Sequence, residues 1–411
     1  MSLSDCTIAD HEFWGLPLET REQAFALLRA QPEPQFYQEV PFGTIPPGPG
    51  FYAFVKHADV VEASRRPDVW RSEPSAISIP DLPVEFNDFF GSLINMDDPR
   101  HARLRRIVSR GFTPRMLKQL EDNVQQSAVT IVDELLEKGP CDFVTEVAAK
   151  LPLKIICDMM GIPEKYHQSV FENSNIVLAG VDPDLLGDDF DEITVKLLTA
   201  GGELAGILSE LADDRRKSPG DDLTSALVNA NVDGESLTDQ EVGSFFVLLA
   251  VAGNETTRNA ISHALKLFTD FPEQRKLLLE DMEERLPGAV EEIVRYASPV
   301  IWMRRTAAED VEMNGFSYKA GDKALLYYGS ANRDETVFER PDEFDILRKP
   351  NPHVGFGGPG PHFCLGAHLA RREITVMLRE LLTRVPQITA GEPDRLYSSF
   401  INGIKRLPCD F

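Results

Sequence analysis

Between His353 and Ala370 the chain reads HVGFGGPGPHFCLGAHLA. Five glycines and two prolines make this loop stiff and nearly bare of side chains, so its backbone can lie close against a flat or bulky object. One cysteine, Cys364, and three histidines stand in it. Three readings are open. Gly355, Gly357 and Gly360 spell G-x-G-x-x-G, the pattern of a dinucleotide loop. His353, His362, Cys364 and His368 are of zinc-ligand types. In the third reading Cys364 alone ligates a group whose chemistry comes from elsewhere.

A dinucleotide fingerprint needs a strand before it, a helix after it and a β-α-β unit around it. The residues after the glycines read instead as one long helix and a short β tail. Pro359 and Pro361 lack the N–H groups that would meet a pyrophosphate. The zinc reading takes its ligands half from a Pro/Gly loop and half from a helix, at an unusual spacing. The buried, inert state usual for a free cysteine leaves the surrounding glycines and prolines unaccounted for.

The rest of the chain narrows the class. Its 411 residues are ample for a buried core. With 42 Lys+Arg against 66 Asp+Glu, the net charge of −24 is a poor match to nucleic acid or an anionic membrane. The longest strongly apolar run, FFVLLAVAG from Phe245 to Gly253, falls short of the roughly 20 apolar residues a bilayer span needs. The start, MSLSDCTIADHEF, has neither the basic nor the apolar part of a leader. Five scattered cysteines with no C-x-x-C argue against a disulfide framework and suit a reducing cytoplasm.

From about Pro99 to Thr269 the apolar spacing is nearly all helical, and further helices are expected over Thr20–Ala30 and Cys364–Arg384. FYAFVK (51–56), TAAEDVEMNGFSY and DKALLYY read as short strands. No β-α-β series and no internal repeat occurs. The expected fold is mainly α with small β-sheets, in a single domain over 1–411. Residues 100–118, RHARLRRIVSRGFTPRMLK, hold Arg100, Arg103, Arg105, Arg106, Arg110, Arg115 and Lys118 and no acid. This run is either a solvated helix face or a docking face for an anionic cofactor group or an acidic partner.

A helix over 237–269 is announced by the capping box Thr238-x-x-Glu241 and closed before Pro272. In its middle stands AGNETT, Ala252 to Thr257. Gly253 can serve close helix packing, and Thr256 can bond back to its own helix. Together with Glu255 they equally suit a small-ligand space with a proton path. In LPGAVEEIVRYASP, Pro287 suits a first helical turn and Pro299 a helix end. Glu292 and Arg295 share a face there, and as an exposed pair would contribute only about 0.2–0.5 kcal/mol.

In this order, AGNETT, E-x-x-R, ANRDETVFERPDEFDILR (331–348) and GGPGPHFCLG (357–366) resemble the markers of the cytochrome P450 family of haem-thiolate monooxygenases, over nearly the whole chain. The resemblance implies that family's fold, a triangular, mainly α prism around haem b. Cys364 is then the axial thiolate, donating electron density that favours O–O cleavage, with the following helix N-terminus holding the sulfur ionised. The glycines would bring backbone close to the porphyrin. His101 and Arg105 (H-x-x-x-R), Arg305 and His362 match residues that hold the haem propionates. Gly253, Glu255 and Thr256 match the oxygen-activation segment, Thr256 stabilising dioxygen and Glu255 relaying protons. Glu292 and Arg295 match a structural pair behind the haem, with Arg348 as its third member. Two departures stand out. Phe356 lies eight residues before Cys364 where the family places a phenylalanine seven before, and Glu255 stands where many bacterial members have Asp.

Pocket walls in this family correspond to FNDFFGSLINM, NSNIVLAGVDPDLL, FFVLLAVAG, VIWM and SSFING here, with Ile94, Ala252, Val300 and Phe400 as expected wall residues. In detail, GFYAFVKHADVVEASRRPDVW, AGNETTRNAISH and HVGFGGPGPHFCLG are similar to the actinobacterial branch acting on methyl-branched lipids and sterol side chains. This implies insertion of oxygen from O2 into an aliphatic C–H bond of a branched lipid, fatty acid derivative, isoprenoid or sterol side chain. Electrons would come from a ferredoxin and its reductase, docking near Arg103, Arg106, Arg110, Arg371 and Arg372. A secondary-metabolite tailoring oxygenase of the same family is the alternative. The expectation is a cytoplasmic monomer with no nucleic-acid partner and no membrane span.

Overall fold

Thr238 starts the long helix at the place its capping box marks. Its hydroxyl accepts from the Glu241 N–H at 3.2 Å, and the Glu241 carboxylate accepts from the Thr238 N–H at 2.9 Å. The helix runs Asp239–Asp270 and is buried around most of its circumference, as befits an element in the middle of a layered helical protein. Helices Lys150–Met160, His167–Leu178, Phe190–Lys217, Met282–Ala297 and Ala367–Arg384 pack around it. The structure, a computed structural model, describes residues 1–41, 45–90, 92–112, 114–179, 182–187, 189–231 and 234–411. Gly91, Thr113, Gly180, Val181 and the Arg115 side chain, all within stretches singled out above, lie outside the described residues. No helix among the described residues is long and apolar enough to cross a membrane.

A five-stranded sheet flanks the helices. Its spatial order is Gln35–Tyr37, Phe51–Phe54, Lys323–Tyr327, Trp302–Ala307 and Trp70–Arg71. Phe51–Phe54 runs parallel to Lys323–Tyr327, with Phe51 opposite Lys323, and the other pairings are antiparallel. Its strands pack into two aromatic-rich clusters, one holding Trp14, Phe25 and Tyr327 and the other Phe54, Trp70 and Tyr318. A separate hairpin pairs Val311–Met313 with Phe316–Tyr318. It turns on Asn314 and Gly315, both at positive φ (52° and 82°), the conformation that favours Asn-Gly in a two-residue turn. The C-terminal strand Pro408–Asp410 lies between Cys141–Asp142 and Thr389–Ala390. The architecture is mainly α with small sheets, as the periodicity indicates.

Two local expectations need correction. Pro287 is not in a first turn opening its own helix, because the helix Met282–Ala297 begins five residues earlier. The bond that proline cannot donate would have gone to the carbonyl of Glu283, which is exposed and open to water. Glu292 and Arg295 are not a surface pair, since both side chains are 0% exposed. Arg295 donates Nε and Nη2 to the two carboxylate oxygens, each at 2.8 Å. Arg348 adds Nε at 3.2 Å to both oxygens, and Asn351 and the Asp345 N–H complete the set. Arg295 also donates to the carbonyls of Asn332, Pro341 and Glu343. Such a bidentate charge pair is strong only while every member is bonded. Glu292→Gln leaves two buried guanidinium groups without their counter-charge. A loss of about 3–5 kcal/mol is expected, measured as a lowered denaturation midpoint with an unchanged slope.

Candidate functional site

The cysteine loop is fastened to itself before it meets anything else. The Cys364 N–H donates to the Phe356 carbonyl at 3.0 Å and the Gly357 N–H to that of Val354 at 2.9 Å. Gly357 has φ +86°, and Phe356 lies beneath Arg371, whose guanidinium carbon is 4.3 Å from the ring centroid. Arg371 in turn grips Glu291 with two bonds of 2.6 and 2.9 Å, and His353 bonds the same carboxylate at 2.9 Å. Burial alone would raise Glu291; His353 and Arg371 outweigh it and hold that carboxyl at about 2. Two of the loop's glycines face another part of the protein, while Gly366 has no protein atom within 4 Å of where a Cβ would stand. A Cβ on Gly358 would stand 2.3 Å from the Ser64 hydroxyl, and one on Gly360 would stand 2.2 Å from the Ser64 carbonyl. The space these glycines leave is filled by helix His57–Arg65.

Cys364 is solvent-accessible on one side and enclosed by protein on the others. Burial pushes its thiol up, against the pull of the Gly366 amide and of the Arg105 and Arg371 charges. The helix Ala367–Arg384 begins three residues later. Basic side chains from three segments gather on this side of the loop. His101 is buried, its ring centroid 4.2 Å from that of His362, and its Nε2 has no hydrogen-bond partner. Its Nδ1 lies 3.6 Å from Asp98. His362 is hydrogen-bonded to the Ser72 hydroxyl at 3.1 Å. Burial first, then Arg305, His101 and Arg105, hold its imidazole down at about 2. Arg305 is buried and donates only to the neighbouring Arg304 carbonyl among the described residues, and Arg105 donates to the Phe363 carbonyl at 2.6 Å. A thiol beside two arginines, one of them buried, and a buried imidazole with an unmet ring nitrogen fits a haem, whose iron takes a thiolate and whose two propionates are anions. The same geometry speaks against the rival readings. His353 is committed to Glu291, His362 to Ser72, and no group of three metal-ligand side chains gathers among the described residues.

On the central helix, Ala252 and Thr256 face a cavity of about 300 Å³. Thr256 donates its hydroxyl to the Ala252 carbonyl at 2.9 Å, which leaves its lone pairs toward the cavity. Gly253 is turned elsewhere. A Cβ there would meet Ile156 Cδ1 at 2.6 Å, so this glycine serves packing against helix Lys150–Met160. Glu255 is buried and is not among the cavity-lining residues. Its carboxylate accepts from Asn259 Nδ2 at 2.9 Å and pairs with Arg258, which reaches on to Asn175. Arg258 and Asn259 were not anticipated, although their positions three and four residues after the acid are the spacing that signals a helical partner.

Ile94, Ala252, Val300 and Phe400 all line the same cavity. So do Ile8, Ala9, His11 and Trp14 from the N-terminal segment, which nothing in their local sequence indicates. Glu39, also in the wall, is already bound to Lys323 at 2.8 Å and to the Gly48 N–H at 3.0 Å. The basic run 100–118 is less positive in three dimensions than in sequence. Arg103 pairs with Glu241 at 2.6 Å, Arg106 with Glu235 and Arg100 with Glu73 at 3.6 Å. Acids distant in sequence offset three of its seven charges. The packing role of Gly253 is testable by a double-mutant cycle. Gly253→Val is expected to cost about 1–3 kcal/mol by overpacking, and to be neutral or stabilising when Ile156→Ala has made room, as read by thermal unfolding.

Comparison with known proteins bears on the same residues. The family model for cytochrome P450 matches residues 86–386. The methyl-branched lipid omega-hydroxylase of Mycobacterium tuberculosis (strain ATCC 25618 / H37Rv) is 48% identical over 410 residues, covering 99% of this chain and 94% of that protein. The steroid C26-monooxygenase of Rhodococcus jostii (strain RHA1) is 44% identical over 88% of this chain and 76% of its own. Among solved structures, Mycobacterium marinum cytochrome P450 CYP268A2 in complex with pseudoionone superposes with a TM-score of 0.93, at 44% identity over 98% of this chain and 97% of that one. Members of that family bind haem through a cysteine thiolate, the group that the thiol and cationic cluster here fit. With its helical prism, its cysteine loop and these likenesses along almost its full length, the chain belongs to the cytochrome P450 family of monooxygenases.

Proposed function

We propose that this single-domain enzyme (residues 1–411) hydroxylates an aliphatic carbon, the terminal one, of a methyl-branched lipid or a sterol side chain. The observation that carries this reading is the cavity itself. Its walls are mostly aliphatic and aromatic, and Ala252 and Thr256 of the central helix are among them. A chain with an apolar tail gains from burial throughout such a space, whereas a compact polar substrate would leave its hydrogen-bonding groups unmet. The named activities of the lipid and steroid hydroxylases that this chain resembles support the same substrate class.

In this reading Cys364 would supply the thiolate that holds the haem iron, and His101, Arg105, Arg305 and His362 would hold the propionates. When bound, the haem supplies the one-electron and dioxygen chemistry that no side chain can. The protein orients the substrate carbon and keeps bulk water from the cavity. Thr256 holds a hydroxyl with free lone pairs at the reacting end. Glu255 holds a carboxylate that delivers protons when it exchanges out of its pair with Arg258. A ferredoxin and its reductase supply electrons in the cytoplasm, and the enzyme works as a monomer. Because Arg103, Arg106 and Arg371 are already paired within the chain, long-range attraction to an acidic carrier is weak. The rate of reduction by it should therefore fall by less than about tenfold as salt screens the surface.

The first test is spectral. Reduced protein with carbon monoxide should show the Soret band of thiolate-ligated haem, and Cys364→Ser should abolish it. Product analysis with a methyl-branched fatty acid and a sterol should then yield the terminal alcohol. Turnover confined to compact polar aromatics contradicts the proposal. Thr256→Ala is expected to lower product formation by about 10²-fold while substrate affinity, read from the spin-state shift, stays within twofold of about the native value.

A further inference from the structure

A second, smaller cavity of about 60 Å³ lies beneath the N-terminal helix Leu18–Arg29. Its walls are largely apolar and include Trp14, Leu18, Phe25, Ala297 and Ile301. Arg21 stands among them with 7% of its surface exposed. Its guanidinium makes no hydrogen bond or ion pair with any described residue, and its Nε is buried. Its guanidinium carbon lies over the face of Trp14, 5.9 Å from the ring centroid. Two other residues of the wall carry buried donors without hydrogen-bond partners, Tyr327 at its hydroxyl and Arg333 at Nε. The Arg333 Nε has Asp342 at 3.9 Å.

The charges around the cavity do not balance. Its lining contains Arg21, Arg29 and Arg333 against one carboxylate, Glu22. Glu22 is taken by Arg333 at 2.7 Å, and Arg29 is met from outside by Glu335 at 2.7 Å. Arg21 shares the attraction of Glu22 with Arg333 and makes no ion pair of its own, and Arg395 adds further positive charge nearby. A buried charge without hydrogen bonds and with only a shared counter-charge is costly for a folded protein, and apolar walls lengthen its reach. A cavity accepts a water from roughly 10–15 Å³ upward. This one therefore has room for a chloride-sized ion with a water or two, and none for a nucleotide or a lipid.

We propose that this cavity binds a small monovalent anion of chloride's class, held by Arg21 with Tyr327 and Arg333 beside it. Trp14 belongs to the walls of both cavities, so the bound ion fastens the segment that closes the larger one. The test uses the full-length holoprotein at constant ionic strength, with gluconate replaced stepwise by bromide. Melting temperature should rise by roughly 2–5 °C as bromide passes about 100 times its dissociation constant. Arg21→Met should remove that response, and a bromide-soaked crystal should show an anomalous peak beside Arg21 Nε. A melting temperature indifferent to bromide overturns the proposal, as does an equal response in Arg21→Met or a soaked crystal with only water at Arg21. Should Arg21→Met fail to fold, the wild-type titration and the crystal decide between them.

Discussion

Glu292 has no exposed surface, yet it is the acceptor on which an otherwise irregular stretch of chain converges. Arg295, Arg348, Asn351 and the Asp345 amide all donate to its two oxygens. The two arginines then reach outward and satisfy the carbonyls of Asn332, Glu339, Arg340, Pro341 and Glu343. Between Asn332 and Gly366 the chain forms no helix or named strand, and a segment of that length would ordinarily be mobile. Here its polar backbone is satisfied by side chains and local turn bonds instead of by a ladder. The cysteine loop inherits its position from that arrangement, with Ser64 against Gly358 and Gly360 and the Glu291–Arg371 pair closing it from the other side.

What could be read from the sequence was what is decided locally. The capping box at Thr238 and Glu241 depends on residues within a few positions of one another. The spacing of Glu292 and Arg295 was equally plain. Their burial was not, because an i, i+3 pair has the same spacing in water and in a core. Gly253 shows the same limit more sharply. A small residue on a helix is visible, but the side chain that occupies its space, Ile156, belongs to another helix almost a hundred residues earlier. The basic run looked like an island because Glu235 and Glu241 come more than a hundred residues later. Pro287 misled for a different reason: helix-start rules weigh the proline and its neighbours, whereas the exposed carbonyl of Glu283 makes the missing bond tolerable.

The site divides accordingly. The central helix and the cysteine loop, which carry the residues proposed for the haem and its oxygen chemistry, are both recognisable as short motifs. The cavity walls are drawn from helices, strands and loops far apart in the chain, and part of their membership, the segment Ile8–Trp14 above all, only folding defines. Substrate selectivity resides mostly in those walls, which is why the class of reaction could be read more readily than the molecule it acts on.

That division also has a temporal side. Ile8 to Trp14 and Ser398 to Ile401 are separated by more than 380 residues of chain, yet they line one cavity. The pocket is therefore complete only after the segment carrying Ser398 to Ile401 has been made. The central helix and the cysteine loop can form while the space above them is still open, so enclosure of that space is the closing event of assembly.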